Sequence, residues 1–143
     1  MQSTDLSLML LMNLAKVNAL LSRRFDSLSA HGISFSEFMI LYLLRHAPGE
    51  KMRRVDLAER IGLTSSGVTR MLVPMEKTGL IKREANERDA RVSYVVLTTA
   101  GRSICEDALV TAIYKAKEII PAATEKKVSV IADFLAELGG NIG

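Results

Sequence analysis

From Leu6 to Leu28 the apolar residues Leu6, Met9, Leu10, Leu14, Val17, Leu20, Leu21, Phe25 and Leu28 recur at helical spacing, but on more than one face. A helix apolar over so much of its circumference is buried on two sides. His31-Gly32 closes it, glycine being favoured just past a helix end. Ser34 and Ser36 offer N-caps to a second helix, Ser36–Arg45, with Phe38, Leu41, Tyr42 and Leu44 inward. Pro48-Gly49 breaks the chain, and Met52 can open a short strand.

The pattern from Arg53 to Gly101 is the most informative. Val55, Leu57, Ala58 and Ile61 mark a short helix over Arg53–Ile61, ended by Gly62. After a corner at Leu63-Thr64-Ser65-Ser66, a second helix runs from Ser65 to about Lys77, with Val68, Leu72 and Met75 on its apolar side. Pro74 removes a backbone donor there, so a bent rather than broken helix is expected. Gly79 stops it, and Leu80–Ala85 and Val92–Leu97 alternate around the charged turn Asn86-Glu87-Arg88-Asp89. Helix, tight turn, helix and hairpin are the parts of a winged helix-turn-helix. Such a unit sets its second helix in the DNA major groove.

Thr98 or Thr99 caps a long helix running to about Ile120, with Ile104, Cys105, Ala108, Leu109, Ala112, Ile113 and Ala116 as its stripe. Beyond Pro121 a last helix runs from about Thr124 to Leu138, inward at Val128, Ile131, Leu135 and Leu138. The expected fold is mainly α with a small β-hairpin wing. Residues 34–99 form the winged unit of a single 1–143 domain, and residues 1–33 and 100–143 supply flanking helices. These carry more apolar surface than a small winged unit can cover, so a symmetric dimer through them is expected.

Composition agrees. Mean hydropathy is +0.18 although aromatic residues are only 5% and Trp is absent, which points to apolar surface buried against another chain. Lys51–Arg102 carries eleven basic residues against six acidic ones, whereas the remainder holds eight against ten. The positive charge therefore sits on the winged unit, as phosphate attraction requires. Cys105, the one cysteine, excludes an intrachain disulfide and zinc-finger spacing. The apolar run Leu8–Met12 is too short for a membrane span, and Asp5 precedes it where a signal peptide would be basic. No membrane partner and a cytoplasmic location are expected.

The segment Asp89-Ala90-Arg91-Val92-Ser93-Tyr94-Val95-Val96-Leu97-Thr98-Thr99-Ala100-Gly101 resembles the D-x-R-x3-V-x-L-T-x2-G signature of the MarR (multiple antibiotic resistance regulator) family. Leu57–Gly62 and Val68–Ile81 resemble that family's helix-turn-helix. The resemblance implies a homodimeric transcription regulator, often a repressor, on a pseudopalindromic operator. It also implies release by a small aromatic or phenolic effector, or by cysteine oxidation. An effector pocket between the dimer helices and the winged unit would draw on Lys16, Phe38, Met39, Tyr42 and Tyr114.

Candidate chemistry follows residue by residue. Thr64, Ser65 and Ser66 can cap the recognition helix or donate to phosphate. Thr69 and Arg70 lie on its polar face, and the resemblance puts a base-contacting arginine at Arg70, where a guanidinium can bond guanine O6 and N7. Asp89 pairs with Arg91 to stiffen the wing, and Arg88 or Arg91 enters the minor groove. Arg53, Arg54 and Lys77 are phosphate contacts. Cys105 is a structural thiol on an apolar stripe, with a redox-responsive regulator as the alternative. His31 and His46 lack partners at metal spacing and read as capping or surface residues, and no metal or other cofactor is called for. No catalytic constellation appears, so an enzyme is not expected. The remaining rival is a winged-helix protein-interaction module without DNA binding.

Overall fold

The computed structural model describes residues 3–143, with the side chains of residues 3, 4 and 123 outside the description. Helix α1 (Ser3–Arg24) leads into a 3-10 helix, Asp26–His31, and then α2 (Phe35–His46). A 3-10 turn, Pro48–Glu50, precedes β1 (Lys51–Arg53), α3 (Arg54–Ile61) and α4 (Ser65–Lys77). Strands β2 (Ile81–Ala85) and β3 (Ser93–Leu97) follow, then α5 (Thr99–Ile119), a 3-10 turn at Ala122–Thr124 and α6 (Glu125–Glu137).

Capping sets most of these boundaries. Ser34 is the cap of α2, accepting from Glu37 N–H at 3.1 Å while the Glu37 carboxylate accepts from Ser34 N–H at 2.9 Å. Of the two serines read as caps, Ser34 thus closes the box and Ser36 sits inside the helix. The long first helix ends at Arg24, four residues earlier than its apolar pattern, because Phe25 and Leu28 turn into the core from a 3-10 segment. Helix α4 runs unbroken through Pro74.

Strand order is β1-β3-β2, antiparallel throughout, so β3 is the central strand. Register pairs Met52 with Val95 and Ile81 with Leu97. The sheet packs Ile81, Val95 and Leu97 against Leu41, Leu44, Leu57, Val68, Leu72 and Met75 from three helices. Helix α5 meets this core at Gly101, where a Cβ would collide with the Leu80 carbonyl oxygen. Thr98 holds the same joint: its hydroxyl donates to Gly79 O at 2.6 Å and accepts from Gly101 N–H at 3.0 Å. The L-T-x2-G stretch is therefore a joint between sheet and helix.

Phe25, Leu28, Cys105, Ala108 and Ala112 carry this core into the flanking segments, but most of α1 and α6 is uncovered. Leu6, Leu8, Leu10, Leu11 and Met12 of α1 are each about half exposed or more. Val130, Ile131, Phe134 and Leu138 of the last helix are exposed too, as are Val110, Ile113 and Tyr114. Of the inward set expected on α6, Leu135 alone is half-buried, and Val128, Ile131 and Leu138 face out. Of the apolar residues that mark α3, Leu57 and Ala58 are buried and Val55 is exposed. One helical stretch bears on the membrane expectation. Leu8–Met12 is short, but the helical stretch Asp5–Arg24, with a hydropathy of 1.2, is long and apolar enough to cross a bilayer by length and composition.

Candidate nucleic-acid interface

The corner between α3 and α4 is built locally. Gly62 takes a left-handed backbone (φ 79°), and its N–H and that of Leu63 bond back to Ala58 O. That geometry favours glycine and turns the chain without a strained side chain. Thr64 then caps α4, its hydroxyl accepting from Gly67 N–H at 3.1 Å and lying 3.2 Å from the Ser66 hydroxyl. Ser65 and Ser66 remain exposed at the helix start.

Thr69 is used inside the protein. Its hydroxyl donates to Ser65 O at 2.9 Å and accepts from Arg54 Nη1 at 2.7 Å. Arg54, expected on a phosphate, therefore ties α3 to α4 through this bond. Arg53 is likewise engaged, its guanidinium bonding both carboxylate oxygens of Asp56 at 3.0 and 3.3 Å. That pair holds the Asp56 carboxyl below its ordinary value, the Arg53 hydrogen bond being the main cause. By contrast Arg70 and Lys77 are exposed, and neither side chain has a hydrogen bond or ion pair among the described residues. Both point away from the buried Val68, Leu72 and Met75.

The wing tip is stiffened by two side chains. Asn86 Oδ1 accepts from the backbone N–H of Arg88 (2.8 Å) and Asp89 (3.3 Å), and Asn86 Nδ2 reaches Tyr94 Oη at 3.4 Å. Asp89 accepts from Arg91 N–H at 3.0 Å and Arg91 Nε at 3.1 Å, so the expected pair is present. Hydrogen bonds from the Arg91 side chain and then its backbone hold the Asp89 carboxyl below its ordinary value. The Arg91 side chain nevertheless stays 91% exposed, and the Arg88 side chain has no partner among the described residues. Asn86, which the sequence reading treated only as part of a charged turn, organises this tip.

At the sheet's other edge Glu50 adopts a positive φ of 53°. Arg102 of α5 binds its carboxylate with both Nε (2.9 Å) and Nη2, and Arg45 stands 3.7 Å away. The Arg102 hydrogen bond lowers the Glu50 carboxyl below its usual range. This network fixes the entry to β1, and the sequence reading missed it.

Of the residues read as an effector pocket, Phe38 and Tyr42 are neighbours, their ring centroids 6.1 Å apart, and the others lie elsewhere within the chain. Phe38 is in the core, Lys16 and Tyr114 are exposed on α1 and α5, and Met39 is half-buried on α2. Tyr42 lines a cavity with His46, Pro48, Met52 and Arg60. A cavity of about 400 Å³ lies instead beside the stacked rings of Phe25 and Phe35, 4.1 Å apart, with Ser22, Asp26, Ser29 and Ser34 on its wall. Cys105 is buried, and burial pushes its thiol above the ordinary value. His31 is no mere cap: its Nε2 lies 2.8 Å from the Thr111 hydroxyl, across to α5. His46 stays on its own helix, with Nδ1 2.9 Å from Tyr42 O.

The MarR family model matches residues 33–93, from the end of the first loop to the middle of the wing. The matched segment, residues 33–93, is similar to the MarR family domain, and the likeness to MarR-type regulators extends over most of the chain. The chain is similar to YdgJ of Bacillus subtilis, an HTH-type transcriptional regulator, with 29% identity over 93% of this chain and 79% of the relative. Among solved structures it resembles a MarR mutant from E. coli complexed with operator DNA. The TM-score is 0.81 and the identity 24%, over 96% of this chain and 99% of that one. It also resembles the organohalide-sensing regulator RdhR in a form bound to 2,4-dichlorophenol. There the TM-score is 0.82 and the identity 21%, over 96% and 83% of the two chains. At these identities the structures show a shared fold. MarR proteins are transcription regulators, and the three-stranded sheet and α4 described above correspond to the wing and to the second helix of the helix-turn-helix in that fold.

Proposed function

We propose that this chain is a homodimeric, sequence-specific DNA-binding repressor of the MarR type acting in the cytoplasm, with α4 of each copy in one half-site of a pseudopalindrome. The observation that carries the reading is the outward face of α4. It presents two unpaired cations, Arg70 and Lys77, beside the Ser65 and Ser66 hydroxyls, and Arg88 stands free at the wing. Charges left without internal partners on a rigid scaffold are free for phosphate and base edges. Arg53, Arg54 and Arg91 can still reach phosphate or groove, but each must do so while keeping, or exchanging, an internal bond.

Self-association rests on α1 and α6. Their exposed leucines, valines and methionines form a surface larger than a soluble monomer usually tolerates. A second copy rather than a bilayer suits this surface, because Asn13, Lys16 and Asn18 interrupt α1 midway and would be costly at the centre of a membrane. For the effector, a small aromatic or phenolic compound fits the reading. The relative RdhR was crystallised with such a compound, and here the Phe25–Phe35 pair offers ring surface beside a cavity.

The test is selection of duplexes from a random library, followed by mobility shift at two salt concentrations. Enrichment of a two-fold symmetric site bound by two chains is expected. Equal affinity for selected and random DNA would overturn the reading in favour of an interaction module.

A further inference from the structure

On α4 the buried residues Val68, Leu72 and Met75 define the core side. Counting 100° per residue, the direction opposite them is occupied by Ser66, Arg70, Val73 and Lys77, all exposed. Three of the four are polar. Val73, 37% exposed, is the apolar member of that face. Val73 is not among the residues of the core or those packed against it, and a β-branched residue is a poorer helix former than alanine.

We infer that Val73 is a sequence-reading residue that packs its methyls on the C5-methyl of a thymine beside the base pair addressed by Arg70. The inference rests on α4 being the recognition helix. Val73 lies three residues beyond Arg70, about 4.5 Å along the helix. Successive bases on a strand are about 3.4 Å apart, so the two side chains address neighbouring pairs. The thymine methyl is the one apolar group on the major-groove edge of the four bases. Against a guanine or cytosine edge the valine would strip water from donors and acceptors and return no hydrogen bond, which is costly. Against thymine it buries methyl on methyl.

The experiment uses the full chain and the duplex it selects from a random library. Single thymines are replaced by uracil, which lacks only the C5-methyl. Replacing the symmetric pair of thymines beside the Arg70 contact is expected to weaken wild-type binding by about tenfold, roughly three- to fourfold per half-site. Val73→Ala, a surface change to a better helix former, is expected to bind the thymine and uracil duplexes alike. Arg70→Ala locates the neighbouring position by relaxing preference at one base pair. The inference is overturned if the pair beside that position is not thymine, or if uracil costs the alanine variant as much as wild type. Failure to select any site would refute the DNA-regulator reading itself. A selected site without this coupling would refute only the role of Val73.

Discussion

The winged unit and the terminal helices solve the problem of apolar surface in opposite ways. Between residues 34 and 101 the chain closes a core on itself: Leu41, Leu44, Leu57, Val68 and Met75 are fully or almost fully buried. In α1 and α6 equally apolar residues face outward, and α1 meets the rest of the chain chiefly through the 3-10 helix that follows it. One region owes its stability to its own sequence. In the proposed dimer the other depends on a second copy, so its order would be a function of concentration.

The sharpest way to break this contrast is to damage each region separately. Leu44→Ala should cost about 2–5 kcal/mol, as deletion of a fully buried leucine does. The melting temperature should fall equally at every protein concentration. Leu10→Asp should instead raise the dimer dissociation constant by about a hundredfold, because a carboxylate would be buried without a partner twice per dimer. Sedimentation should show that loss, with the core signal in circular dichroism retained. A concentration-independent melt for both variants would mean that the two regions do not differ in this way.

Within the winged unit the contrast is between free and engaged cations. Arg70→Ala should lose about 1–3 kcal/mol per half-site on the selected operator and little on random duplex, measured by fluorescence anisotropy. Lys77→Ala should weaken all sequences alike and reduce the salt slope by about one. If both variants behave identically, Arg70 is a phosphate contact rather than a reading residue.

The smallest effect concerns the wing. Asp89 is held below its ordinary value by Arg91, so the stabilisation it gives is complete above the unfolded carboxyl's value. It is lost only as pH falls through the lower folded value. Amide exchange at Arg91, whose N–H donates to the Asp89 carboxylate, should therefore keep a constant protection factor from neutral pH down to the ordinary carboxylate range, with extra opening only below it. Asp89→Asn should show that opening at neutral pH.

How much of this was legible in sequence depends on distance along the chain. The bounds of α4 and the Thr98 cap were readable, because hydroxyl caps and apolar spacing act within a few residues. The three-stranded sheet was readable from alternation plus Met52. What escaped were pairings between distant elements: Arg54 with Thr69, Glu50 with Arg102, His31 with Thr111. No periodicity announces such a bond, and an arginine in a basic stretch looks the same whether it faces solvent or a neighbour. Of the residues expected at an effector pocket, Phe38 and Tyr42 lie together within one chain while Lys16 and Tyr114 stand apart on α1 and α5, since a cavity is made by elements whose approach only the fold decides. The end of α1 escaped because Phe25 and Leu28 continue the helical pattern while the backbone has already tightened.

The joint at Gly101 turns α5 into a rigid arm. Because a side chain there would strike the Leu80 carbonyl and Thr98 bonds across to Gly79, the near end of the helix cannot swivel independently of the sheet. The helix is 21 residues long, about 31 Å. Where two copies join at the far ends of their α5 helices, a tilt of about 5° displaces each reading head by about 3 Å, close to the step from one base pair to the next. In the proposed dimer, leverage of that size would let a small repacking at the dimer end move α4 out of register with a half-site.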